Sequence, residues 1–516
     1  MKIIKRFYWI LPLLLIVGNI SLLFFQNLTE VTEPPAENWS RDLTIGETNI
    51  NNYPLISLNN EGNVELIEIA KDSLRQKTYN ESFEVIEEKQ LADIPVNKWT
   101  QIFMQEDTLL YFDYHHIYDA SSKKIVTDVD KFYPLDNSLL YLIDNQLFYL
   151  DPITTESSLI TTLENKFDKL VPISTEQGIK ILTYYRENEE LLVSVYNIID
   201  FEAERTYQES FTVPFNEEIR EIAFAYDDDK FSFLFNTEIK ATNANQPIHT
   251  TYLYESSKAT LEKITLNDPK GMGELEGIND MSVTYEDQKL KLLFSATGRT
   301  NTKYREAFAF NIYEAILSNE NFDIYRRSNT AYLSAKPQWV SPNIISWIEI
   351  DSEANPISIS SNESALINKT QGVNANDLIS GLGKTIGMLS VSFLATLLAT
   401  MWVIGPIFIL VILYITKRSL LDRDLNWVFH LGLVSYVISF LLFKDSFFID
   451  NIYTYAPDYL TFTGSSYVYL FVFGAIAYFC SKQAAKQNDW GIFIKLFYLI
   501  AIHILLLSVF FGPYFM

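Results

Sequence analysis

Where the apolar residues fall constrains this chain more than any other feature. One apolar run occupies about 7–25, four more crowd the stretch from about 385 to 515, and the long middle has none of bilayer length. A hydrocarbon core needs ~20 apolar residues per helix. The pattern therefore predicts a multi-domain membrane protein, held at both ends of one large polar region. The expected organisation is a signal-anchor helix in 1–26, a linker in 27–49, a β-rich domain in 50–372 and a four-helix membrane domain in 373–516. The expected spans are 7–25, 388–416, 427–443, 466–481 and 491–512.

Basic residues mark the cytoplasmic ends of such spans. Lys2, Lys5 and Arg6 precede the first; Lys417, Arg418 and Arg423 follow the second; Lys482, Lys486 and Lys495 lie around the join of the fourth and fifth. With five spans, all three clusters fall on one side. The amino terminus is then expected inside, and the large domain and carboxyl terminus outside. A cleaved signal peptide is the alternative for the first span. Its apolar run is long, however, and neither a small-x-small site nor a cysteine follows, so an uncleaved anchor is the expected form.

Ten of the 40 basic and six of the 64 acidic residues lie outside 27–416, which leaves 30 against 58, or about −28, on the middle region. Such a field repels nucleic acid, so no nucleic-acid partner is expected. Cys480 is the only cysteine and lies in the fourth span, so the middle region has no disulfide. With the abundance of Asn, Lys, Ile, Tyr and Phe, this points to a bacterium of low genomic GC content, Gram-positive by expectation.

The middle region alternates with period two. Leu109–Tyr114, Leu139–Ile143, Leu147–Leu150, Leu191–Tyr196 and Phe231–Phe235 read as strands, rich in aromatic and β-branched residues. Acidic or polar turns recur at intervals of ~30 to ~60 residues, which brackets the blade length of propellers. The phrase Leu-Phe-Tyr-Leu-Asp-Pro-Ile-Thr at 147–154 resembles blades of quinoprotein-like propellers, and Pro-Gln-Trp-Val-Ser-Pro-Asn at 337–343 resembles blades of TolB-type propellers. The resemblance implies an all-β, β-propeller-like domain of about seven blades. A large β-sandwich is the alternative. Glycine is scarce, so the turns are expected to rely on Asn and Asp.

Few residues suggest chemistry. Asp113 with His115 is a candidate metal pair, since imidazole and carboxylate ligate zinc or copper; His116 is expected on the opposite strand face. Asp227, Asp228 and Asp229 lack calcium-loop spacing. Gly271-Met272-Gly273 and Gly277 lack the Lys-Ser/Thr of a phosphate loop. No cofactor is implied. In the membrane part, His503 lies deep in a span and is a candidate for proton transfer, while His430 sits near a boundary. Gly405-Pro406 is expected to kink the second span, whose apolar stretch is about 46 Å long as a straight helix. Lys384 and Lys444 are expected to snorkel outward.

Three functions fit. The first is a cell-surface binding, scaffold or sensor protein with the lipid bilayer and a protein or cell-envelope partner. The second is a subunit of a transport or assembly complex; the layout is similar to that of the YidC insertase in outline only, without its membrane arginine and basic tail. The third is an envelope oxidoreductase, for which no cofactor constellation is present. With no nucleophile elbow or triad in view, the chain is expected to be a non-enzyme.

Overall fold

The computed structural model describes residues 7–515 apart from 72, 106–107, 165–168, 240–247, 272, 301, 303–307, 319, 352 and 424. Lys2, Lys5, Arg6 and Met272 thus lie outside the described residues. The chain forms two compact units, one of 33–300 with 307–372 and one of 1–32 with 301–306 and 373–516.

The first unit is built from strands in fours. After β1 (Leu43–Thr48) come β2 (Leu55–Leu58), β3 (Val64–Ala70), β4 (Ser73–Tyr79) and β5 (Val85–Asp93), the first group. The second holds β6 (Gln101–Gln105), β7 (Thr108–Phe112), β8 (Ile117–Asp119) and β9 (Lys124–Val126). The third holds β10 (Lys131–Pro134), β11 (Leu139–Ile143), β12 (Gln146–Leu150) and β13 (Ser157–Thr162). The fourth holds β14 (Lys169–Thr175), β15 (Gly178–Glu187), β16 (Glu190–Ile199) and β17 (Glu202–Thr212). The fifth holds β18 (Glu217–Asp227), β19 (Lys230–Ile239), β20 (Ile248–Glu255) and β21 (Thr260–Ile264). The sixth holds β22 (Glu276–Glu286), β23 (Lys289–Arg299), β24 (Phe308–Ser318) and β25 (Asn321–Arg326). The last has only β26 (Leu333–Ser341), β27 (Ile344–Ile350) and β28 (Asn355–Ser361), and β1 supplies its fourth strand.

Each group is an antiparallel meander in chain order. β1 pairs antiparallel with β28 from Leu43↔Ile359 to Thr48↔Asn355, and a single bridge, Thr48↔Ile69, links it to β3. The early end of the unit therefore completes its latest group.

Packing closes the circuit. In β11, Leu139 and Tyr141 join an apolar cluster with the second group, while Leu140 and Leu142 join one with the fourth. Alternate side chains thus face opposite neighbours, so the strand is apolar throughout. Similar clusters join groups one to two, four to five, five to six and six to seven. Ile45, Leu66, Ile348 and Ile357 join the last group to the first. The fold is β-propeller-like, with sheets stacked in a circuit and no sheet closed on itself. The hairpin turns use Asp144, Asn188, Asp228 and Asp287 at φ of 53°, 56°, 51° and 48°. Asn and Asp tolerate that left-handed region, as the scarcity of glycine requires.

The second unit is helical. It comprises α1 (Phe7–Val31), α3 (Ala375–Ala399), α4 (Ile404–Asp422), α5 (Asn426–Leu442), α6 (Asp450–Tyr455), α7 (Asp458–Thr461), α8 (Ser465–Asn488) and α9 (Ile492–Phe511); α2 (Ser364–Thr370) belongs to the first unit. Among the described residues, four helical stretches are long and apolar enough to cross a bilayer: Tyr8–Val31, Ala375–Ser419, Ser465–Asn488 and Ile492–Tyr514. Asn426–Leu442, where the third span is expected at 427–443, has 17 residues and is shorter than those four.

Several expectations need correction. The stretch 27–49 is not all linker, since α1 continues to Val31 and β1 lies at 43–48. The span expected at 388–416 is two helices joined by a 3-10 turn at Thr400–Val403. The break falls before Pro406, whose ring would clash with the Trp402 carbonyl in an unbroken α-helix. Lys384 does not snorkel; it is 8 % exposed and pairs with Glu30 of α1. Other polar contacts also tie α1 into this unit. Asn27 Nδ2 donates to Thr385 Oγ1 at 2.9 Å, Asn19 Nδ2 to the Val509 carbonyl at 2.9 Å, and Tyr498 to the Tyr8 carbonyl at 2.8 Å.

Candidate functional site: an axial cleft in the β unit

The first strands of the seven groups line connected space at the centre of the β unit. A cleft of 960 Å³ is lined by Tyr53, Gln101, Lys131, Tyr133, Pro172 and Gln338, among others. It adjoins a second of 460 Å³ through the shared Pro134 and Pro172, with walls from Phe224, Val283 and Trp339. Such volumes are typical of small-ligand sites.

Beside this space, three successive first strands depart from regular pairing at corresponding places. The register shifts between Ile219 and Glu221 in β18, between Asn279 and Ser282 in β22, and between Ala335 and Gln338 in β26. Asp280 and Lys336, within two of these bulges, both have φ of 53°. A bulge leaves a backbone N–H without its ladder partner and re-aims a side chain.

In the second and third bulges a backbone N–H finds a carboxylate from the preceding group. Glu221 Oε1 accepts the Met281 N–H at 3.1 Å, and Asp280 Oδ2 accepts the Lys336 N–H at 3.1 Å. Lys336 Nζ pairs with Asp280 Oδ1 and lies 5.5 Å from the centre of the Tyr53 ring. Gln338 Nε2 then donates to the Pro54 carbonyl at 2.6 Å, joining the last group to the first. Asn236 steadies the first bulge by accepting the Glu221 N–H at 3.1 Å and donating to the Ile278 carbonyl at 2.5 Å.

These contacts set unusual protonation. Burial, and then the charge of Asp280, push Glu221 up to about 7. Burial pushes the Tyr184 hydroxyl up to about 12 and raises Tyr53 and Tyr133 further above the usual tyrosine range. Of these groups Tyr53 and Tyr133 line the cleft, whose charged walls are Glu65, Lys89, Lys131 and Asp136, while Glu221, Asp280 and Lys336 lie beside it.

A second polar cluster lies between the last two groups and is closed to solvent. Glu349 accepts bonds from Trp347 Nε1, from Ser334 Oγ at 3.1 Å and from Thr330 Oγ1 at 3.1 Å; burial pushes it up to about 8. Arg327 donates twice to Glu314, at 2.9 and 2.6 Å, and stacks 3.8 Å above the Trp39 ring. Trp39 Nε1 donates to Ser360 at 2.8 Å. With every carboxylate engaged by protein donors, this cluster fastens the segment before β1 to the sheets.

The residues singled out from sequence lie elsewhere. Asp113 and His115 sit in the β7–β8 turn, not on a strand. Asp113 Oδ1 accepts the N–H groups of His115 at 2.9 Å and His116 at 2.8 Å, and its nearest ring nitrogen is His116 Nδ1 at 3.5 Å. Burial works against ionisation there, but those N–H bonds prevail and hold Asp113 below the usual carboxylate range. Among the described residues, no three His, Cys, Asp or Glu side chains gather as a metal site. Asp228 is a hairpin turn residue beside Gln177. The loop of Gly271 and Gly273 encloses Asp268, which accepts the N–H groups of Lys270 at 2.9 Å and Arg299 at 2.6 Å.

In the helical unit, His503 is 0 % exposed. Its Nε2 lies 2.9 Å from the Leu470 carbonyl and its Nδ1 2.8 Å from the Tyr436 hydroxyl. A carbonyl only accepts, so Nε2 carries the proton and Nδ1 accepts from tyrosine. Both nitrogens are satisfied in the neutral ring, and His503 links α5, α8 and α9. Glu221, Asp280, Lys336 and Tyr53 escaped sequence reasoning. The available signal was a charged residue interrupting the apolar pattern at Ile219-Arg220-Glu221-Ile222, Asn279-Asp280-Met281 and Ala335-Lys336-Pro337.

No family model and no curated protein matches this chain. Solved structures that resemble it include the N-terminal domain of Nup159, at 12% identity over 64% of this chain and 98% of that one, with a TM-score of 0.34. The Pan2 WD40 domain from Neurospora crassa is 9% identical over 64% of this chain and 98% of its own, with a TM-score of 0.34. BBS1N in complex with ARL6DN gives 9% over 62% and 96%, with a TM-score of 0.35. Likeness at this level decides nothing; the propeller-like architecture rests on the strand order and the interleaved cores.

Proposed function

We propose that this chain is a membrane-anchored binding or scaffold protein that presents its β-propeller-like unit outside the cell and receives a ligand or partner at the axial cleft. The observation that carries the reading is the cleft itself, where Tyr53, Gln101, Lys131, Tyr133 and Gln338 converge from four of the strand groups. The basic clusters before the first span and after the second support the sidedness, and the polar contacts of α1 with α3 and α9 support a retained anchor. The four helical stretches of spanning length among the described residues fit the bilayer attachment.

Cys480 is the chain's only cysteine and is buried, so an added cysteine is a selective reporter. Asp200→Cys, in the exposed turn after β16, is expected to react with a membrane-impermeant maleimide in intact cells. Reaction only after lysis would overturn the sidedness.

A second reading, a subunit of a transport or assembly complex, draws support from the polar seam of α1, α3 and α9. There Asn27 Oδ1, Ser392 Oγ and Ser508 Oγ are buried without hydrogen-bond partners among the described residues. Crosslinking in native membranes distinguishes the two: partners captured through the helices favour the second, partners captured through the β unit the first.

A further inference from the structure

One inner edge of the β unit differs from the others. The first strand of each group pairs with the second and turns its other edge toward the central space. Such an edge presents unpaired N–H and C=O groups, a template for another strand. Among the described residues, six of the seven inner edges are interrupted. Pro134 in β10 and Pro172 in β14 sit in ladders of unbroken register, opposite Leu139 and Ile181. Proline has no N–H to give its ladder, so the missing donor of each lies on the open side. The registers of β18, β22 and β26 shift at bulges, and bulges turn an edge away from pairing. The four-residue β2 is crossed at its entrance, where Gln338 donates to the Pro54 carbonyl.

The exception is β6. Its pairs with β7, from Gln101↔Phe112 to Gln105↔Thr108, run without a shift and include no proline. The ladder shows which of its groups are open. The next hairpin closes with the Asp113 N–H on the His116 carbonyl at 3.2 Å, so Asp113 and Tyr111 bond toward β8. Alternate residues of a strand bond opposite neighbours, so Phe112 and Leu110 bond β6 at Gln101 and Phe103. The N–H and C=O groups of Ile102 and Met104 therefore point away from β7, and no other described residue bonds them. Gln101, Ile102, Phe103 and Met104 all line the 960 Å³ cleft. The Ile102 side chain lies in the core shared with the first group and that of Phe103 in the core shared with the third. What borders the cleft between those two faces is the strand's edge.

Resting on the reading of the axial cleft as the receiving site, we propose that its ligand is a partner's polypeptide segment in extended conformation, which adds as a strand to the open edge of β6. Ile102 and Met104 each offer one N–H and one C=O, and the added strand exchanges hydrogen bonds with both. An extended peptide is the chemistry that matches a row of alternating backbone donors and acceptors. The five residues of β6 run about 17 Å, so a segment of similar length covers the edge. The interruptions on the other inner strands direct the segment to this one.

The test uses the full chain in nanodiscs. A displayed library of random decapeptides is selected on it against empty nanodiscs, and an enriched peptide is synthesised with blocked termini. N-methylation of one residue at a time should weaken binding at least tenfold at alternate positions and less than threefold between them, because only every second N–H faces β6. Met104→Pro gives β6 the interruption that Pro134 gives β10 and spares the β7 ladder. It should weaken binding at least tenfold with the near-UV circular dichroism unchanged. If that variant does not fold, hydrogen exchange at Ile102 and Met104 of the unsubstituted chain replaces it, with at least tenfold slowing expected when peptide is bound. No enriched peptide, a methylation profile without period two, unslowed exchange, or unchanged binding by folded Met104→Pro overturns the proposal. Self-association that Met104→Pro abolishes, without peptide binding, gives the edge to a second copy and likewise overturns it. A last arm separates this inference from the reading beneath it: Gln101→Cys, blocked with N-phenylmaleimide, obstructs the cleft. Binding lost on blocking yet indifferent to N-methylation removes the added strand and leaves the cleft as the receiving site; binding untouched by the block removes both.

Discussion

The two units handle buried polarity in opposite ways. The β unit places charged groups inside and gives most of them a dedicated partner: Glu314 has Arg327, Asp280 has Lys336, and Glu349 has a ring of neutral donors. The helical unit relies mainly on neutral groups. Asn27 bonds Thr385, Asn19 a carbonyl, and His503 a tyrosine and a carbonyl. Its helices satisfy their own backbone, so polar side chains are free to cross-link neighbours. The β groups leave backbone donors orphaned at bulges, and carboxylates meet them. At the bulged strands charge follows backbone irregularity, whereas between the regular helices, the Lys384–Glu30 pair apart, the polar contacts are mainly neutral.

The largest expected effect tests whether the closed cluster holds the β unit together. Trp347 is 0 % exposed, packs with Trp39, Leu293 and Ile312, and donates to Glu349. Trp347→Ala should destabilise the β unit by about 3–5 kcal/mol, read as a lowered denaturant midpoint. A loss under 1 kcal/mol would mean that the cluster is ornamental. For the helical unit, His503→Leu leaves the Tyr436 hydroxyl and the Leu470 carbonyl without their partner. It should cost about 1–3 kcal/mol, read as a lower aggregation temperature in detergent, with His503→Gln recovering part of the loss. If His503 instead carried protons, His503→Gln would abolish function at undiminished stability.

The smallest effect is in pH. Glu349 and Glu221 are raised to about 8 and about 7, both mainly by burial. Between about 4.5 and those values the unfolded chain releases protons that the folded chain retains. The stability of the β unit should therefore fall by at least ~1 kcal/mol as pH rises from 5 to 8, then level off. Glu349→Gln should flatten much of that slope. Rising stability over the same interval would show that other groups dominate. Asp113 acts in the opposite sense, since its lowered carboxyl contributes stability that is lost only in stronger acid.

Much of the fold was legible because its rules are local. Two-sided strands such as Leu139–Ile143 announce burial on both faces, and Asp and Asn at hairpin tips announce left-handed turns. The helical elements were visible as apolar length. Their ends were less so: the break at Thr400–Val403 precedes the proline that causes it, and α1 extends through Asn27 and Glu30 because Thr385 and Lys384 await them. The axial site was hidden for a similar reason. Glu221, Asp280 and Lys336 are roughly 60 residues apart in the chain, and no motif relates them.

Sequence alone determined that apolar helices flank a β-rich, acidic middle, because hydropathy and period-two alternation depend on near neighbours. Tertiary structure decided that β1 completes the last group, that Lys384 meets Glu30, and that two carboxyl groups share an axis with one lysine. Those facts depend on register and on which strands bulge. Both are set when all the groups pack against one another, and no local pattern encodes that event.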